Sequence, residues 1–167
     1  MIRRTATRAL LALAVTASLA ACGGDEEPAA GGGSGTATGI STDLAEAPEV
    51  AGSDAPPPTE LVVDDVVVGT GAEAVEGSSV ALKYVGAFYE TGEEFDSSWS
   101  RGADETLPVT LGEGRVIPGF EQAVYGMQEG GRRSVTIPSE LGYGPNGQGP
   151  IPGDATLVFV LDLVEVS

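Results

Sequence analysis

Five of the nine aromatic side chains in this 167-residue chain fall at Tyr84, Phe95, Phe120, Tyr143 and Phe159. Gathered in one place, they could together line a single apolar pocket. The chain has no His and one Cys, Cys22. That excludes Ser-His-Asp and Cys-His nucleophile systems, a His-based zinc site and any disulfide within the chain. Chemistry must then come from Tyr, Asp, Glu, Arg, backbone groups or the shape of a pocket, and no metal or cofactor is expected.

The elements that would position these residues begin at Leu61. Leu61 to Val68 is rich in β-branched residues and stops at Gly69-Thr70-Gly71, which predicts a strand and a turn. Val80 to Phe88, Leu107 to Leu111, Arg132 to Pro138 and Thr156 to Val166 read as four further strands. The last is apolar on both alternating sets of positions, as a central strand covered on both faces would be. Pro118 to Met127 is the one segment with a helical pattern. Pro118 lies in its first turn, Phe120, Ala123, Val124 and Met127 form an apolar stripe, and Gly130-Gly131 follows. The expected fold class is α+β: an antiparallel sheet of about five strands curled around one short α-helix.

The aromatic residues lie in five distinctive strings: Leu82-Lys83-Tyr84-Val85-Gly86, Glu94-Phe95-Asp96-Ser97-Ser98, Val116-Ile117-Pro118-Gly119-Phe120-Glu121, Leu141-Gly142-Tyr143-Gly144 and Ala155-Thr156-Leu157-Val158-Phe159. In this order and spacing they resemble the FKBP-type peptidyl-prolyl cis-trans isomerases, over roughly Leu61 to Val166. The resemblance implies an enzyme that speeds rotation about X–Pro bonds. Such a bond turns over a barrier of ~18–20 kcal/mol, because amide resonance must be broken. The twisted amide is less polar than either planar form, so a dry apolar pocket favours it without nucleophile, metal or cofactor.

The same resemblance assigns roles. Phe120 would form the pocket floor, a Phe where many members carry Trp. Tyr84, Phe95 and Phe159 would wall the proline ring. Val116 and Ile117 would form the rim, with the Ile117 N–H offered to a substrate carbonyl. Tyr143 would donate its hydroxyl to another carbonyl, and Asp96 would hold a polar position beside the twisted amide. Ile151 would close the pocket from the Gly144-to-Gly153 loop. Arg101 would pair with Asp96 or Tyr84. Leu107 stands where an aromatic is common and would thin one wall. From the residues alone, Asp96 could equally cap a turn before Ser97-Ser98, and Trp99 reads as a cover over an edge.

The beginning of the chain reads differently. Met1 to Arg8 carries three Arg and no acid, Ala9 to Ala21 is mostly Ala and Leu, and Leu19-Ala20-Ala21-Cys22 looks like the lipobox of bacterial lipoproteins. Residues 1–21 are therefore expected to be a lipoprotein signal peptide and Cys22 the lipidated residue. The protein would be exported and lipid-anchored to a bacterial membrane, its domain on the extracytoplasmic side. Gly23 to Glu60 contains no aromatic, Lys or Arg and is dominated by Gly, Ala, Pro, Ser, Thr and acids, so 22–60 is expected to be a disordered tether before a 61–167 isomerase domain. The formal charge of −17 argues against a nucleic-acid partner. The expected partners are proline-containing segments of exported proteins, the membrane through Cys22, and macrolides of the rapamycin type. A monomer is the default. The alternative on the same fold is a catalytically weak chaperone or adaptor that binds proline segments.

Overall fold

The structure, a computed structural model, describes residues 39–167. The expected signal peptide and Cys22 lie outside the described residues. Among these, no helix is long and apolar enough to cross a membrane.

Six strands and one α-helix follow Leu61: β1 (Val62–Val67), β2 (Ser79–Phe88), β3 (Glu94–Ser97), β4 (Leu107–Thr110), α1 (Pro118–Val124), β5 (Arg132–Ile137) and β6 (Leu157–Val166). All pairings are antiparallel, in the order β1-β5-β6-β2-β3, with β4 also pairing β2. The strand not anticipated is β3. It is only four residues long and two of its side chains are acidic, so it carries little apolar pattern.

Side chains alternate across the sheet. Leu82, Tyr84, Val135, Ile137, Leu157, Phe159, Leu161 and Leu163 point to one face, where they join Phe120, Ala123, Val124 and Met127 in the main core. On that face α1 lies against β5 so closely that a Cβ on Gly119 would collide with Ile137. The helix stops at Val124, three residues before the expected end. Tyr125 turns to an extended conformation (φ −56°, ψ 134°) and Gly126 takes φ +75°. The Arg133 guanidinium replaces the missing turn by donating to the Ala123 and Tyr125 carbonyls at 2.8 and 3.1 Å. Met127 is buried all the same.

The chain before Leu61 is not free of the domain. From Gly39 onward it is held against it, in a segment expected to be tether. Ile40 and Pro48 are buried, and the Ser41, Asp43 and Glu46 carbonyls accept hydrogen bonds from Arg132. Further along, Ser53 N–H donates to the Tyr89 carbonyl at 3.0 Å. The composition of this stretch is that of a linker, but its hold on the domain runs through backbone oxygens, which composition does not reveal.

Candidate active site

The aromatic residues do meet. Phe120 and Phe159 stand edge to face with ring centroids 5.4 Å apart, and Phe95 meets Phe159 in the same way at 5.6 Å. Tyr84 meets the Phe120 ring at 6.1 Å, nearly perpendicular. Edge-to-face contacts of this kind fix ring orientation as well as burying area. Phe88, which sequence reasoning did not single out, packs on Phe95 at 5.2 Å.

Backbone geometry makes room for the rings. Gly86 on β2 lies beneath them, and a Cβ there would stand 2.8 Å from ring atoms of both Phe95 and Phe159. Such distances are inside van der Waals contact, so only Gly fits. Phe120 is set by the helix–sheet contact at Gly119, and Phe159 by the β6 register, which pairs it with Gly86 on one side and Val135 on the other.

The rings enclose a cavity of about 500 Å³. Nine residues anticipated for the site line it: Tyr84, Phe95, Asp96, Leu107, Val116, Ile117, Phe120, Tyr143 and Phe159. Arg115, Gly142 and Gln148 also line it and were not anticipated as site residues. Arg115 pairs with Glu113 at 2.7 Å near the surface. Ile151 does not line this cavity. It is buried beside a smaller adjoining hollow, shared with Phe95, Asp96, Tyr143 and Gln148, because its loop folds back through reciprocal Gln148–Ile151 backbone hydrogen bonds.

One edge of the cavity is a closed polar triangle. Tyr84 Oη donates to Asp96 Oδ2 at 2.5 Å, and Arg101 donates to Asp96 Oδ1 and to Tyr84 Oη, both at 2.8 Å. Arg101 thus takes both alternatives left open by the sequence, although it lies outside the cavity lining. The Ser97 N–H also donates to Asp96 Oδ1 at 2.9 Å, so the turn-capping reading of Asp96 holds beside its place in the cavity. Partial burial works to raise the Asp96 pKa, but the hydrogen bonds from Tyr84 and Arg101 outweigh it, and the carboxyl sits below its usual range. Burial, reinforced by the bond to Asp96, pushes the Tyr84 hydroxyl upward. Burial, with the Asp96 charge, does the same for Tyr143.

The Tyr143 hydroxyl and the Ile117 N–H are uncommitted donors at the cavity. Among the described residues neither has a hydrogen-bond partner. Trp99 lies apart from the cavity, with Lys83 Nζ 4.2 Å above its ring and its own N–H buried without a partner among the described residues.

The sequence model of the "FKBP-type peptidyl-prolyl cis-trans isomerase" family matches residues 71–164. A "Probable FK506-binding protein" of Corynebacterium glutamicum is 45% identical over 119 residues, covering 71% of this chain and 98% of that protein. An "FK506-binding protein" of Streptomyces anulatus is 47% identical over 124 residues, covering 72% of this chain and 98% of its own length. Among solved structures, AtFKBP13 superposes with a TM-score of 0.60 at 36% identity, over 66% of this chain and 96% of that one. By family match, by close relatives aligned over nearly their whole length and by fold, the chain belongs to the FKBP-type peptidyl-prolyl cis-trans isomerases.

Proposed function

We propose that the chain speeds X–Pro rotation in exported or cell-surface proteins by taking the prolyl ring into the aromatic cavity and holding the amide twisted. One observation carries this reading: an open, aromatic-walled cavity of about 500 Å³ whose lining includes the uncommitted Tyr143 hydroxyl and Ile117 N–H. The cavity can hold a prolyl ring together with part of the residues beside it.

The cavity would act by differential binding. A planar amide gives up more hydration on entering an apolar site than a twisted one, whose carbonyl is less polar. Phe120 forms the floor and Tyr84, Phe95 and Phe159 the walls that replace water around the ring. The Tyr143 hydroxyl and the Ile117 N–H fix carbonyls of the substrate chain. Asp96, kept ionised by Tyr84 and Arg101, supplies a fixed polar edge. No proton or covalent bond is transferred.

Relatives of this chain carry the name FK506-binding protein, which supports a macrolide of that kind, rapamycin included, as a ligand of the same cavity. Export and anchoring rest on the Arg-rich start, the apolar run and Leu19-Ala20-Ala21-Cys22. Clients would then be proteins folding outside the cytoplasm. Cis/trans exchange on short X–Pro peptides tests the activity. Incorporation of labelled fatty acid into the wild-type chain, and its loss in Cys22→Ser, tests the anchor. A wild-type chain that takes up no label in a bacterial host would end the lipoprotein reading without touching the isomerase.

A further inference from the structure

The sheet has a second buried face. Opposite the cavity stand Val85, Ala87, Ser134, Thr136, Val158 and Val160, all excluded from solvent although α1 lies on the other side. The segment from Ile40 to Ser53 is anchored to the domain at the two opposite ends of this face.

At one end, Arg132 and Asp162 face each other across β5 and β6. Arg132 is fully buried and donates from Nε and Nη2 to the two Asp162 oxygens at 2.5 and 2.7 Å. Its remaining N–H groups go to three backbone carbonyls: Ser41 at 2.7 Å, Asp43 at 3.1 Å and Glu46 at 3.0 Å. All five guanidinium donors are thereby used. At the other end, Ser53 bonds to Tyr89 through both its N–H and its hydroxyl. There Gly52 and Gly92 bring two backbones into contact, and a Cβ on Gly52 would stand 2.6 Å from the Glu90 carbonyl oxygen.

This segment is held as a ligand is held. It forms no helix and joins no strand ladder. Its buried side chains are Ile40 and Pro48, while Thr42, Asp43, Ala45, Glu46 and Ala47 face water. The clamp on it reads carbonyl oxygens, which every peptide offers. The exposed Pro56 and Pro57 then separate it from β1. It also lies outside the residues 71–164 that match the family.

We propose that the outer face of the sheet is a second peptide-binding groove, clamped by Arg132 and Asp162 and filled in this structure by the chain's own residues 40–53. Its ligand class is an extended peptide with an apolar anchor and a proline spaced as Ile40 and Pro48 are. An unfolded chain that displaces the strap would be held by its backbone on one face of the sheet while its prolines reach the cavity on the other.

The test uses the full chain with a specific protease site placed between Ala55 and Pro56. After cutting, a fluorescent synthetic peptide of residues 39–55 is added. The groove predicts that the cut strap stays bound, exchanges with the labelled peptide and leaves isomerase activity unchanged. An Ile40→Asp peptide should bind at least about tenfold more weakly, from loss of one buried aliphatic side chain. Because the peptide contains Pro48, a Phe120→Leu domain serves as control: affinity should not change if the peptide sits on the outer face, and should fall if it enters the cavity. A strap that never exchanges, a cut protein that unfolds once the strap leaves, or binding that depends on Phe120 would each overturn the proposal.

Discussion

The Tyr84 hydroxyl donates to the Asp96 carboxylate at 2.5 Å, and Arg101 bonds to both partners, so one wall of the cavity ends in a hydrogen-bonded triangle. The three members are not equal. The Tyr84 side of the triangle is largely buried, whereas Arg101 and Asp96 are each about half exposed (47% and 48% of the side chain). Tyr84→Phe leaves the ring in place and removes the donor that Asp96 depends on. A stability loss of about 1–2 kcal/mol is expected by denaturant titration, with kcat/KM reduced several-fold. Arg101→Met removes the half-exposed pair with Asp96 and the bond to the Tyr84 hydroxyl but leaves Tyr84 donating to Asp96, so it should cost about 1 kcal/mol or less.

The shifts at Asp96, Tyr84 and Tyr143 fix the pH behaviour. Asp96 is depressed below the ordinary carboxylate range, so its stabilising effect is present above the unfolded pKa and is lost only as pH falls through the lower folded value. Tyr84 and Tyr143 are raised, so their protonated forms persist beyond the usual tyrosine range, and the benefit is lost only as pH rises through the folded values. With no His in the chain, kcat/KM should be flat from about pH 5 to about pH 9. An inflection near neutrality would show a titrating group in the site that this account lacks.

Gly86→Ala tests whether the rings are positioned by the strand beneath them. The added methyl meets Phe95 and Phe159 at 2.8 Å and must push both outward. About 1–3 kcal/mol of stability should be lost, along with most of the activity, since two walls of the cavity move. A variant with wild-type kinetics would mean that the ring positions do not govern catalysis.

Arg132→Met leaves Asp162 buried without a partner and releases three strap carbonyls. The expected cost is about 3–5 kcal/mol in chemical denaturation, as for other broken buried pairs. The activity per folded molecule should be unchanged, because Arg132 points away from the cavity. A kinetic defect in the folded variant would show that the two faces of the sheet are coupled.

Much of the site was legible because it rests on side-chain identity. The five aromatic strings, Asp96 and Tyr143 carry their chemistry in their residue types, and the strand and helix patterns bring them together. What was hidden rests on the backbone or on long-range pairing. Arg132 and Arg133 are neighbours in sequence, yet they serve opposite faces, one clamping the strap and the other closing the end of α1. The two-faced apolar pattern of β6 did announce a cover on each side. Only one cover was visible as a helix. The other is a segment rich in Ala, Pro and acids, with a hold made of carbonyl oxygens and two buried residues, which reads as linker in any composition analysis. Arg115 and Gln148 reach the cavity only because of loop paths that leave no sequence pattern.

The most direct measurement is cis/trans exchange by NMR on a short X–Pro peptide, comparing the wild-type chain with Tyr143→Phe and Phe120→Leu, each shown to be folded by its near-ultraviolet spectrum. Catalysed exchange is expected in the wild type, with a several-fold drop when the uncommitted Tyr143 donor is removed and a larger loss when the aromatic floor becomes aliphatic. A folded wild-type chain that leaves exchange at the uncatalysed rate, or variants as active as the wild type, would contradict it.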